Sequence, residues 1–470
     1  MVPLNLSQPL QRRIHTHFAL KVGAAALALV LAGCGGGPGA GAYSFAPSAS
    51  ASASATTKGT ANDEVQFLYD YMQDWYLFYK DMPTVDLSLF ATPEDALDSL
   101  RVVKDRFSNI SSESATIAFY DEGRLLAFGI SNKLENDNQL RIRYVQPNSP
   151  ALAAGILRGD AITGIDGKSI RSLIASNEIN NAFGPQEESV TRTFTVVRGT
   201  QTLEIPVTKA WFTLASAPVA TVHRIGTGKA GYILYNQFTN PSLTEWRTAV
   251  AAVKAQGVSK IIVDLRLNGG GLVDIGSKIA ASLTPASAAG KLYSMIEFND
   301  KHTSNNQPIN IASDSSAGSF DEVIFLTSLG TCSASEGLIV GIQPYLPSSK
   351  VTIIGDTTCG KPVGFTAPAY KGKRYNILSF RGRNADGVSD YFDGLTPQCP
   401  AIDSGEAELG QAHESLLAAA LSYLRTGFCA ATASSGLQAK SVSNYKSSAN
   451  KLGDYWHLPV NGLARQTGIQ

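Results

Sequence analysis

The string EVIFLTSLGTCSASEGLIVGI, residues 322–342, passes from an apolar strand through a Gly/Ser turn straight into a helix, which constrains the fold more than any other stretch. Glu322 to Ser328 reads as a buried strand, Gly330 breaks it, and Ser333-Ala334-Ser335-Glu336 has the S-x-x-E form of a capping box. The pattern recurs upstream. KIIVDLRLN is a continuous apolar strand ending in Gly269, Gly270 and Gly271, before a helix over residues 272–283. Downstream, Val351 to Ile354 is an apolar strand entering a Gly-rich turn. Apolar strands alternating with helices predict an α/β domain, placed at residues 210–429, whose parallel strands are covered on both faces.

A serine on a sharp strand-to-helix turn exposes its hydroxyl, and backbone N–H groups and the helix dipole then face any oxyanion that forms on its target. Ser333 is therefore a candidate nucleophile, although capping alone also accounts for the S-x-x-E spacing. A serine hydroxyl needs a base beside it. Of six histidines, His15 and His17 fall in a leader segment, and His223, His302, His413 and His457 have no motif around them. Lys361 follows the 351–354 strand, so a second strand end can deliver its amine to the first. Burial lowers a lysine pKa by up to ~3–5 units, which leaves a useful neutral fraction near neutral pH.

The order of DLRLNGGG (Asp264 to Gly271), TCSASE (Thr331 to Glu336) and GDTTCGKPVG (Gly355 to Gly364) resembles the C-terminal processing peptidases, or tail-specific proteases. These are Ser-Lys serine endopeptidases on a crotonase-like (ClpP/crotonase) α/β domain. The resemblance implies Ser333 as nucleophile, Lys361 as general base, and the N–H groups of Ala334 and Gly270 as the oxyanion hole. It implies no cofactor, and no H-E-x-x-H or paired Cys/His spacing suggests a metal. Two features depart from the family pattern. Phe365 stands four residues after the lysine, where a glutamine usually orients it, and Leu346 to Ser349 lengthens the connection between nucleophile and base. The G-K-P-V-G form is similar to that of a bacterial lipoprotein branch. Because retinoid-binding proteins share the superfamily, a non-catalytic peptide- or apolar-ligand-binding protein is the alternative reading, with a PDZ adaptor for another protease as a second.

Arg12, Arg13 and Lys21 precede an apolar run, residues 24–32, that ends in Leu31-Ala32-Gly33-Cys34, the form of a bacterial lipoprotein signal. Residues 1–33 would be removed and Cys34 lipidated. Gly35, in place of an aspartate, points to the outer membrane facing the periplasm. Residues 34–61 are Gly, Ala, Ser and Pro with almost no charge, a flexible tether. Past the leader, no apolar run reaches the ~18 residues of a membrane span. A formal net charge of +0 gives no footprint for nucleic acid.

Residues 62–115 carry helical patterns rich in aromatics, with a helix start near Thr92. Residues 116–209 contain VQPNSPALAAGILRGDAITGIDGKSI, which resembles a PDZ domain. Here Pro150 to Ala154 predicts a short helix, Ile162 to Ile165 a strand, and Asp166-Gly167 a tight turn. A PDZ groove takes a protein C-terminus by strand addition, and its carboxylate loop maps to Ala127, Phe128, Gly129 and Ile130. Cys332, Cys359, Cys399 and Cys429 admit three full pairings. The place of Cys359 beside Gly360-Lys361 and of Cys399 in GLTPQCP points to a 359–399 clamp. Residues 430–470 read as a poorly ordered tail.

Overall fold

The strands read from the sequence form the middle of a six-stranded sheet in the computed structural model, which describes residues 62–135, 138–313 and 320–429. The leader, Cys34, the 34–61 tether and the 430–470 tail lie outside the described residues. The sheet runs Val219–Ile225, Gly228–Leu234, Lys260–Asp264, Glu322–Thr327, Val351–Gly355 and Cys399–Pro400. The first pair is antiparallel and the rest are parallel. Alternate residues feed two cores, as the two-residue period of a strand requires. Ile261, Val263, Val323, Phe325 and Ile353 pack under the helices Ser242–Lys254, Val273–Leu283 and Ala334–Ile342. Ile262, Ile324, Leu326 and Ile354 face Ser415–Thr426. Each such buried side chain contributes roughly 1.5–3 kcal/mol.

The central parallel strands are neighbours in chain order, so successive right-handed crossovers fall on one face. That puts the helix after the glycine turn beside the helix after Ser333. A second, antiparallel sheet of Gln307–Asn310, Leu292–Phe298, Leu378–Arg383 and Val363–Phe365 stands next to them, and Lys361 lies just before its last strand.

The N-terminal helices Asp63–Trp75 and Pro93–Leu100 bury Val65, Leu68, Met72, Leu97 and Leu100 against Val363, Tyr375, Ile377 and Leu378. Thr92 caps the second helix by accepting from Asp95 N–H at 3.2 Å. The chain then adds a strand, Asn109–Ser112, antiparallel to Lys373–Asn376. The aromatic-rich N-terminal region is thus packing, stitched to the strands that follow the lysine.

The PDZ region forms a sheet in the order Ile130–Glu135, Gln139–Val145, Ala161–Ile165, Thr191–Arg198 and Gln201–Thr208. Its short helix is Pro150–Ala153. Asp166 and Gly167 take φ 49° and 74°, closing a two-residue hairpin between Ile165 and Lys168. Ile130–Glu135 is an edge strand of this sheet, with Ile130, Ser131 and Asn132 buried. Arg124–Ala127 pairs with Ala210–Thr213 where the chain enters and leaves this region. Among the described residues no helix is long and apolar enough to cross a membrane.

Candidate active site

Ser333 immediately precedes its helix with φ 56° and ψ −117°, on the left-handed side that costs a non-glycine residue roughly 1–3 kcal/mol. The surroundings enforce this elbow. Thr331 Oγ1 donates to Leu265 O at 2.8 Å, Cys332 N–H to Asn268 O at 3.1 Å, and Ser335 Oγ to Asn268 O at 2.9 Å. The serine turn is therefore sewn to the glycine turn, and Ser333 is the partly exposed residue between buried Cys332 and Ala334.

Glu336, fully buried, does more than cap. Its Oε2 accepts from Ser333 N–H at 2.9 Å and from Lys361 N–H at 2.8 Å. Its Oε1 accepts from Gly360 N–H at 2.8 Å and Thr358 Oγ1 at 2.5 Å. Burial pushes the carboxyl pKa up, against these donors. On the other side of the lysine turn, Arg106 donates to Cys359 O at 3.3 Å and Phe392 O at 3.0 Å. Gly360, at φ 80°, lies so close to Phe392 that a Cβ would sit 2.2 Å from its carbonyl oxygen.

The Lys361 amine lies 4.7 Å from the Phe365 ring centre and 5.3 Å from that of Phe107. Burial lowers its pKa to about 8, opposed by the carboxylates of Asp105 and Glu336. Among the described residues its amine has no hydrogen-bond partner, Ser333 Oγ included. Ser333, Ala334, Gly269, Gly271, Lys361, Phe107 and Phe365 all line one cavity of about 600 Å³. No histidine among the described residues lines it. His223 bonds Thr221 Oγ1 at 2.8 Å and His302 stacks on Trp75 at 3.6 Å.

Two expectations need correction. Gly270 packs on the serine turn, where a Cβ would fall 2.8 Å from Ser333 Cβ and 3.0 Å from Ala334 N. Its N–H, however, donates to Asn268 Oδ1 at 2.9 Å and so is not aimed into the cavity. Gly271 lines the cavity instead, and among the described residues neither its N–H nor that of Ala334 has an acceptor. The cysteines pair 332 with 359 and 399 with 429, at Cα separations of 5.2 and 5.3 Å, not 359 with 399. The register explains why. Thr327 pairs with Gly355, so Cys332 and Cys359 leave neighbouring strands at the same level, whereas Cys399, on the far strand, meets Cys429 after the last helix.

Cys332, Glu336 and Cys359 are the cluster of metal-ligating types among the described residues, but both sulfurs are in the disulfide and the carboxylate is on backbone donors. Asp264 and Arg266 form a buried ion pair at the strand end that leads into the glycine turn. Arg266 Nε donates to Asp264 Oδ1 at 3.0 Å, and its two terminal nitrogens grip Glu414 at 2.6 and 2.8 Å. Asp403 joins them, with its pKa lowered because Arg266, Arg158 and Arg143 outweigh burial.

Of the PDZ loop, Phe128 is buried against Phe194, and Phe128 O and Gly129 O accept from Ala151 and Gln146 N–H at 2.9 and 2.8 Å. None of Ala127, Phe128, Gly129 and Ile130 lines the cavity. Lys209, next to this loop, spends its amine on Gly184 O at 3.0 Å and Pro185 O at 2.6 Å.

Three family profiles match the chain: peptidase family S41 over residues 229–397, the peptidase S41 N-terminal domain over 63–109, and a PDZ domain over 141–179. The stretch 229–397 is thus similar to peptidase family S41. A relative named "Probable CtpA-like serine protease" in Staphylococcus aureus is 28% identical over 325 residues, covering 68% of this chain and 61% of its own length. Its namesake in Staphylococcus saprophyticus is 27% identical over 317 residues, covering 65% and 60%. The chain thus spans about 61% of the length of the curated relatives it matches. A solved structure from Bacteroides fragilis assigned to the S41 proteases superposes with a TM-score of 0.62 at 24% identity, over 77% of this chain and 97% of that one. That shared fold has the expected form: an α/β domain, a PDZ domain and an N-terminal helical region. Beyond the motif residues, the shared Glu336 oxygen, Asp105, Arg106, Phe107 and the 332–359 disulfide surround the site.

Proposed function

We propose that this chain is a serine endopeptidase of the C-terminal processing type. The observation that carries the reading is the single Glu336 oxygen that accepts from the backbone of both Ser333 and Lys361, fixing nucleophile and base at one cavity. Neutral Lys361 takes the proton as Ser333 Oγ bonds to the peptide carbonyl carbon. The oxyanion forms beside the N–H groups of Ala334 and Gly271. As the C–N bond breaks, the lysine ammonium gives its proton to the leaving amine, and water then hydrolyses the acyl-enzyme by the same route in reverse.

The substrates are proteins or peptides, recruited by their C-termini through the PDZ region. The protein is anchored through lipidated Cys34 and works in the periplasm, on the outer membrane of a Gram-negative cell. Each acyl CH₂ contributes about 0.8 kcal/mol, so two or three chains hold it stably. The test is hydrolysis of an unfolded protein with a free or amidated C-terminus by the full chain and by Ser333→Ala. Cleavage that requires Ser333 and favours the free terminus supports the reading, and cleavage retained in Ser333→Ala overturns it. Fractionation of Cys34→Ser cells tests the anchor, which predicts release from the membrane.

The apolar-ligand alternative has Phe365 and Phe380 on the cavity wall in its favour. It predicts ligand binding unaffected by Ser333→Ala and no turnover by either protein.

A further inference from the structure

We propose that the ring faces of Phe107 and Phe365 position the Lys361 amine, so that the N-terminal region supplies one wall of the base site. The inference rests on the peptidase reading above and names what stands in for the orienting glutamine. Both rings lie within the ~6 Å at which a ring face attracts an ammonium, at 5.3 and 4.7 Å. An aromatic face attracts the ammonium without taking a specific proton, so on deprotonation the lone pair is left for the Ser333 hydroxyl. The rings come from separate segments. Phe365 ends the strand Val363–Phe365, and Phe107 sits in the turn before Asn109–Ser112.

That second turn is rigid. Asp105 Oδ1 accepts from the N–H groups of Phe107 and Ser108 at 3.0 and 2.8 Å, while its Oδ2 accepts from Tyr76 OH at 2.8 Å. Asp105 and Glu336 act on the amine electrostatically, and Arg106, whose guanidinium lies 5.1 Å from the Phe107 ring, is tied to Cys359 O and Phe392 O. Asp121, Arg374, Tyr120 and Tyr391 line the same cavity. None of these groups bonds the amine among the described residues, so the rings are what confine it.

The test is the pH profile of peptide hydrolysis by the full chain carrying Phe365→Met, Phe365→Tyr or Phe107→Met, with melting curves for each. The rings stabilise the ammonium, so their loss lets the proton leave at lower pH. Phe365→Met is expected to move the acid limb down by about half to one pH unit. Its kcat should fall about tenfold, with KM within about twofold of wild type. Phe365→Tyr, which keeps the ring, should retain both the limb and kcat. A folded Phe365→Met protein with wild-type kcat and an unmoved limb overturns the inference while leaving the peptidase reading intact. If that variant unfolds, Phe107→Met decides on the same criteria. Unfolding of both assigns the rings to packing and overturns the inference too. Wild-type chain without Ser333-dependent hydrolysis overturns the peptidase reading itself, and the inference with it.

Discussion

Ser333 and Lys361 share one acceptor: Glu336 Oε2 takes the backbone N–H of the first at 2.9 Å and of the second at 2.8 Å. These residues lie in the turns that follow neighbouring parallel strands, and the carboxylate bridges the two turns. Glu336→Gln keeps the size but turns one acceptor into a donor facing donors. Peptide hydrolysis should fall by roughly 10²-fold, the usual cost of an ångström-scale misplacement. The melting temperature should fall as well, since a bond to a charged acceptor is worth about 1.5–3 kcal/mol. Unchanged kcat in Glu336→Gln would remove the carboxylate from the account.

The 332–359 disulfide braces the same pair of turns, with Cys359 Sγ 3.5 Å from Glu336 Oε2. It closes a separation of 27 residues, for which chain entropy gives about 3–4 kcal/mol of stabilisation. Cys332→Ser with Cys359→Ser should lower both melting temperature and activity. Cys399→Ser with Cys429→Ser, remote from the cavity, should lower the melting temperature alone. Parallel losses of activity in the two double variants would contradict this.

The lysine works as a base only when neutral, and burial has brought its pKa to about 8. Below that pH the ammonium has no lone pair for the serine proton, so kcat/KM should rise about tenfold per unit towards pH 8 and then level off. An acid limb near the free-lysine value of about 10.4 would mean that the amine is solvated.

Gly270 is held at φ 104° with Cys332 O, Ser333 Cβ and Ala334 N within 3.0 Å of where a Cβ would go. Gly270→Ala must therefore push the serine turn away. Hydrolysis by the variant should fall at least 10²-fold, and a variant with wild-type turnover would show that the turns are not in contact during catalysis.

Arg266 lies fully buried between Asp264, Glu414 and Asp403. Arg266→Leu strands these carboxylates, a loss of about 3–5 kcal/mol readable by denaturant titration. The pKa values of Glu414 and Asp403 are lowered, since their arginines outweigh burial. Depressed carboxylates stabilise the fold above their unfolded pKa, near 4, and that contribution drains away as pH falls further. Wild-type protein should lose stability with acid below about pH 4 more steeply than Arg266→Leu.

The sheet and its turns were legible because strands buried on both faces leave continuous apolar runs, as in KIIVDL and VIFLT, and because glycines mark where each run stops. Side-chain partners across strand ends were not. Glu336 reads as a capping residue from S-x-x-E, while its other donors, at 358–361, come from a separate strand. The direction of the Gly270 N–H depends on the Asn268 side chain, which no spacing encodes. The 332–359 pairing follows from strand register, which the sequence leaves open until the neighbouring strands are known. Phe365 was visible as a departure, and only its place with Phe107 beside the Lys361 amine suggests a role.

The central claim is that Ser333 is an activated nucleophile. Intact-mass analysis of the full chain after exposure to a fluorophosphonate tests it most directly, with Ser333→Ala and Lys361→Ala as controls. The account predicts one adduct on the wild-type chain that is absent from both variants. An adduct that persists in Ser333→Ala, or labelling undiminished in Lys361→Ala, would contradict it.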